Sequence, residues 1–100
     1  MPLKPLKIGR EDAEALALRA IALIAADEEL LPRFLALTGS GIDDLRDRLS
    51  DPDFLGATLD FILESGDDLV SRLAEMAEVL PETILAARSF LPGGQVEWTP

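Results

Sequence analysis

The chain of 100 residues has no histidine, no cysteine, no tyrosine and a single tryptophan. Each absence removes chemistry. Without imidazole or thiolate there is no zinc finger, no haem ligand, no cysteine nucleophile and no histidine general base. Zero cysteine also excludes a disulfide scaffold and makes a reducing, cytoplasmic setting the default. Basic residues are scarce: 9 Lys and Arg stand against 19 Asp and Glu, a net charge of −10. Nucleic-acid binders draw affinity from cations that displace counterions from phosphate, so this balance argues against one. Long apolar runs are missing too. The longest, residues 15–26, is twelve positions interrupted by Arg19, short of the roughly 20 that a membrane span needs. The basic opening MPLKPLKIGR has the flavour of a signal-peptide start. Glu11, Asp12 and Glu14 follow where an unbroken apolar stretch would be required. The expectation is a cytoplasmic protein without a membrane segment.

What the chain does have is 48% apolar residues, too many for a disordered chain, in a length that suits one domain. Its charge is unevenly placed. Lys4, Lys7 and Arg10 give the first ten residues +3, whereas residues 11–100 hold 6 basic and 19 acidic groups, or −13. Pro2 and Pro5 break any helix there. Residues 1–10 therefore read as a flexible basic arm, 11–92 as a single folded domain and 93–100 as a C-terminal tail. The arm either keeps the chain in solution or docks on an acidic surface, its own or a partner's.

Nineteen Leu and 13 Ala dominate, against three Val. Leu and Ala favour helices, and no segment alternates as a strand does, save weakly Gln95 to Trp98. An all-α, compact bundle of five to six helices follows. The first helix, Glu11 to Ala26, is apolar on nearly every side apart from Arg19, which predicts a central helix surrounded by the others. Asp27 caps a second, Glu28 to Thr38, with Leu30, Leu31, Phe34 and Leu37 as its apolar face and Gly39 and Gly41 as its stop. A short third helix spans Ile42 to Leu49, with Leu45 and Leu49 inward. Asp51-Pro52 opens a fourth that runs to Glu64 and turns Phe54, Leu55, Leu59, Ile62 and Leu63 inward. The fifth, Asp67 to Val79, repeats Leu69, Val70, Leu73, Met76, Ala77 and Leu80 at helical spacing. Pro81 starts a sixth that ends near Phe90, and Pro92-Gly93-Gly94 closes the fold.

An offset of 39 residues superimposes much of this pattern on itself. Asp12 meets Asp51, Leu16 meets Leu55, Leu23-Ile24 meet Ile62-Leu63, and Arg33-Phe34 meet Arg72-Leu73. Each half reads long helix, medium helix, short helix, which suggests a pseudo-repeat of two three-helix halves. Shared apolar periodicity alone would produce part of the match.

Candidate chemistry is thin. The acids Asp43, Asp44, Asp47, Asp51 and Asp53 are the one group that could attract a hard cation, but they miss the calcium-loop spacing and are interrupted by Arg46 and Arg48. Helix-start charges and i,i+4 partners, such as Asp44 with Arg48, explain them more simply. No serine has a base to activate it except Lys4 and Lys7 on the arm, and neither glycine pair forms a phosphate loop with lysine. No catalytic, metal-binding or cofactor-binding residue is assigned, so the expectation is a protein that is not an enzyme. Residues 69–90 have helix-turn-helix spacing, with Glu78 at the turn position where Gly is usual and Arg88 as the only base-contacting residue type on the second helix. An acidic mimic of DNA fits the charge without a motif. Trp98, in GGQVEWTP, packs on its own fold, anchors a partner or belongs to a loose tail.

The run ALALRAIALIAAD (residues 15–27), RFLALTG (33–39), Asp43-Asp44-Leu45-Arg46, the helix start Asp51-Pro52-Asp53-Phe54-Leu55 and the closing Ala86-Ala87-Arg88 with Leu91-Pro92-Gly93 resemble the small alphaproteobacterial proteins grouped as domain of unknown function 3572 (DUF3572). The resemblance covers roughly residues 11–94. It implies a bacterial cytoplasmic protein and brings no activity or site residue with it. By exclusion, the expected role is a non-catalytic protein–protein interaction or adaptor module, with Trp98, Lys4, Lys7 and Arg10 as candidate partner-binding residues and an unknown protein as partner. The alternative is a nucleic-acid-linked regulator. So many Leu and Ala also admit a homodimer.

Overall fold

The computed structural model describes residues 9–92. Six α-helices follow one another: α1 (Arg10–Ala25), α2 (Leu30–Thr38), α3 (Leu45–Arg48), α4 (Pro52–Glu64), α5 (Asp67–Ala77) and α6 (Pro81–Arg88), with a 3₁₀ turn, Ile42–Asp44, leading into α3. There is no strand among the described residues. The domain is an all-α bundle with one core built from every helix except α3. Its radius of gyration is 13.2 Å, close to the ~13 Å of a compact 100-residue domain.

Helix ends are set by local chemistry. The Gly9 N–H donates to Asp12 Oδ2 at 2.9 Å, closing the start of α1. Asp51 is the N-cap of α4, its Oδ1 accepting from the Asp53 N–H at 3.0 Å ahead of Pro52. Asp27 holds the entry to α2: one carboxylate oxygen accepts from the N–H groups of Glu29 and Leu30. The other lies 3.9 Å from the Arg72 guanidinium on α5. Pro32 stands in the first turn of α2, where its missing N–H has no intrahelical partner to lose.

The helix expected at the centre shares that place. On α1, Ala13, Leu16, Ala17, Ala20, Ile21 and Ile24 are buried, whereas Ala15, Leu18, Arg19, Ala22 and Ala25 face solvent. Alanine supplies most of that outer stripe, and a lone methyl costs little to expose. On α4, by contrast, Phe54, Leu55, Gly56, Thr58, Leu59, Phe61 and Ile62 are all buried, and α1, α2, α5 and α6 pack around it. Several apolar residues expected inward are not. Leu37 is 67% exposed; α2 is buried only at Leu30 and Phe34, one turn apart. Met76, in the last turn of α5, and Leu80, just before α6, are exposed as well. Leu45 and Leu49 are only half-buried. The sixth helix stops at Arg88; three 3₁₀-type bonds, from the N–H groups of Ser89, Phe90 and Leu91, follow, with Phe90 outward and Leu91 inward.

The 39-residue offset is visible in the backbone. Ala26 N–H donates to Ala22 O and Ser65 N–H to Phe61 O; Leu31 N–H to Asp27 O and Val70 N–H to Gly66 O; Ser40 N–H to Leu35 O and Val79 N–H to Ala74 O. Gly39 (φ 72°) and Glu78 (φ 59°) are both left-handed C-caps at equivalent places. The helix starts do not match: Asp51 is an N-cap, whereas Asp12 lies inside the first turn of α1.

Two predictions follow from these ends. The backbone donors of Glu29 and Leu30, then the Arg72 charge, hold the Asp27 carboxyl below the ordinary aspartate range. A lowered folded-state pKa stabilises above the unfolded value and is lost as pH falls through the folded one. Thermal melts of Asp27→Ala should therefore lie below those of the parent chain at neutral pH, with the gap narrowing below about pH 4. Glu78 carries the strain that Gly39 avoids, so Glu78→Gly should raise stability by about 0.5–1 kcal/mol in urea titrations.

Candidate functional site

Beneath the C-terminal turn of α2, three phenylalanines interlock. Phe34 meets Phe54 edge-on with ring centroids 5.5 Å apart, and Phe61 at 5.2 Å. Phe54 and Phe61 are seven residues apart, two turns of α4, so Phe34 enters between them. Such edge-to-face contacts add roughly 0.5–1.5 kcal/mol beyond area burial. The guanidinium of Arg48 lies over the Phe54 ring at 5.5 Å and that of Arg33 over Phe61 at 6.0 Å. Both are cation–π contacts, the guanidinium drawn to the negative face of the ring.

Past Phe34, a groove of about 360 Å³ opens between α2, α3 and α4. Leu37, Thr38, Ala57 and the edges of Phe54 and Phe61 line it, together with Arg48 and the carboxylates Asp51, Asp53, Asp60 and Glu64. Asp60 is already engaged. Its two oxygens accept from Arg88 Nε at 2.6 Å and Nη2 at 2.9 Å, a bidentate pair. Arg88 Nη1 donates to the carbonyls of Leu91 and Pro92, both at 3.1 Å. The Arg88 side chain is 10% exposed and Asp60 46%. Room for the fork comes from Gly56, where a Cβ would stand 2.7 Å from Pro92 O and 2.9 Å from Arg88 Nη1.

The residues singled out in the sequence fall elsewhere. Lys4, Lys7 and Trp98 lie outside the described residues. Arg10 opens α1 in an exposed i,i+4 ion pair with Glu14 at 3.4 Å. Asp51 and Asp53 reach the groove, whereas Asp43, Asp44 and Asp47 do not line it; among the described residues no three carboxylates converge as ion ligands. The turn 78–80 gives α5 and α6 a helix-turn-helix outline. Arg88 points inward, however, and leaves Glu82, Leu85, Ala86 and Ser89 outward, a face with no cation. Sequence reasoning missed the Arg88–Asp60 fork. Its one signal was Gly56, placed in a helix interior where alanine is intrinsically better.

A family model described as "Protein of unknown function (DUF3572)" matches residues 10–94. The chain belongs to the DUF3572 family. That span takes in all six helices, the groove and the Arg88 fork. No curated protein and no solved structure matches this DUF3572 chain.

The fork makes a sharp prediction. In this DUF3572 domain Gly56→Ala should cost roughly 1–3 kcal/mol in chemical denaturation, since backbone and guanidinium would both have to shift. Arg88→Lys, which keeps the charge but loses the fork, should cost about 1–2 kcal/mol. A Gly56→Ala protein as stable as the parent would show that the close approach is not a constraint.

Proposed function

We propose that this protein is a non-catalytic interaction module that works in a bacterial cytoplasm. The observation that carries the reading is the groove over the phenylalanine cluster, where Leu37 is 67% exposed beside Ala57 and four carboxylates. Partner-binding surfaces combine accessible apolar side chains with a polar rim in this way. The apolar side chains Ile42, Leu80 and Leu85 are also exposed. No helix among the described residues is long and apolar enough to cross a membrane. The helix-turn-helix outline supports the second reading, a nucleic-acid-linked regulator, only in shape, since the outward face of α6 has no cation.

Affinity purification of the tagged full chain from its native host in mild salt tests the proposal. A reproducible protein partner, recovered in separate preparations and lost when Leu37→Ser and Leu85→Ser are combined, is the expected result. Recovery of nothing reproducible, with the chain monomeric by light scattering, would remove the reading. A gel shift with DNA at low salt that weakens as salt rises would favour the regulator instead.

A further inference from the structure

We propose that the α2–α4 groove takes a short basic segment of another protein, with an apolar side chain set between two cations. This deepens the interaction reading and rests on it. The outward stripe of α4 runs Asp53, Ala57, Asp60, Glu64, at i, i+4, i+7 and i+11. A rise of 1.5 Å per residue puts its ends about 16 Å apart. Asp60 in the middle is neutralised by Arg88; Arg48, over the Phe54 ring, is the one other cation in the lining and stands against Asp51, Asp53 and Glu64, so the groove stays net acidic. Asp53 and Glu64 are both exposed and form no ion pair among the described residues.

Glu64 is the telling residue. Asp53, in the first turn of α4, is favoured by the helix dipole, but Glu64 is in the last turn, where the dipole is negative and no basic residue compensates. The fold gains nothing from a carboxylate there. Between the two ends, Leu37 and Ala57 offer apolar surface.

The charge pattern selects the occupant. A second copy related by two-fold symmetry would set these acids against each other. The chain's own Lys4 and Lys7 are three residues apart, about 10 Å when extended, and do not span the stripe. An extended foreign segment of about six residues, with a cation at each end and a leucine-like side chain between, does.

The test is a nuclear magnetic resonance titration of the full chain with a capped six-residue peptide: lysine at each end, two central leucines, serine between. One control replaces leucine by serine and another replaces lysine by glutamate. The expected shifts centre on the amides of Leu37, Ala57 and Glu64. Asp53→Asn combined with Glu64→Gln should weaken binding about fivefold or more. Ala57→Arg, outward on its helix, should block binding while the thermal melt stays intact, and Leu37→Ser should weaken it. Equal binding of the leucine-free peptide, or shifts scattered over other acids, would overturn the proposal. So would movement of the Ala57 and Glu64 signals in a Lys4→Glu, Lys7→Glu chain without peptide, which would make the chain's own arm the occupant. A partner from the native host that survives Ala57→Arg would leave the interaction reading standing and remove only the groove.

Discussion

The fork of Arg88 on Asp60 ties the last described turn of the chain to its central helix. Four guanidinium N–H bonds are spent there: two on a carboxylate of α4 and two on the carbonyls of Leu91 and Pro92. Those carbonyls follow α6 and have no helical partner, so without Arg88 they would be left to water beside a buried Leu91. The guanidinium fits only because Gly56 has no side chain. One glycine thus lets α4, α6 and the final segment meet at a single point. The charge is not buried alone either, since Asp60 stays half-exposed and keeps part of its hydration, which lowers the desolvation cost of the pair.

The two halves use the same backbone bonds but pack differently. Equivalent carbonyls accept equivalent amides at the ends of α1 and α4 and of α2 and α5, and left-handed caps fall at Gly39 and Glu78. The third element of each half then diverges. Pro81 starts a true helix that buries Thr83, Ile84, Ala87 and Arg88, whereas Ile42 starts a 3₁₀ turn whose side chain is 60% exposed. An arginine fork secures the second; among the described residues no such fork holds the first, where Arg48 lies over the Phe54 ring. The groove lies where that anchoring is missing.

Much of the architecture was legible in the sequence because its signals are local. Leu and Ala content gives the helical class, Asp51-Pro52 gives a helix start, Gly39 gives a stop, and each depends on residues a few positions apart. Which apolar residues are inward depends on partners far along the chain. Leu37 and Leu30 look alike on a helical wheel, yet only Leu30 is buried, on a helix whose other buried residue, Phe34, meets Phe54 and Phe61. The Arg88–Asp60 pair is 28 residues apart, and no periodicity links them. The groove was illegible for the same reason: Asp51 and Asp53 could be read as helix-start charges, but their company with Leu37, Arg48 and Glu64 is made by packing.

The acidic excess divides along similar lines. Asp12, Asp27 and Asp51 accept backbone N–H bonds at helix starts, and Asp60 holds Arg88, so the fold accounts for these charges. A cap needs its carboxylate whatever the protein does, and a net charge of −10 is to that extent a by-product of building six helix starts from aspartate and glutamate. The residues that inform about function are the acids the fold does not require. Glu64, opposed by its own helix dipole and in no ion pair among the described residues, is such a residue, and it stands at one end of the groove.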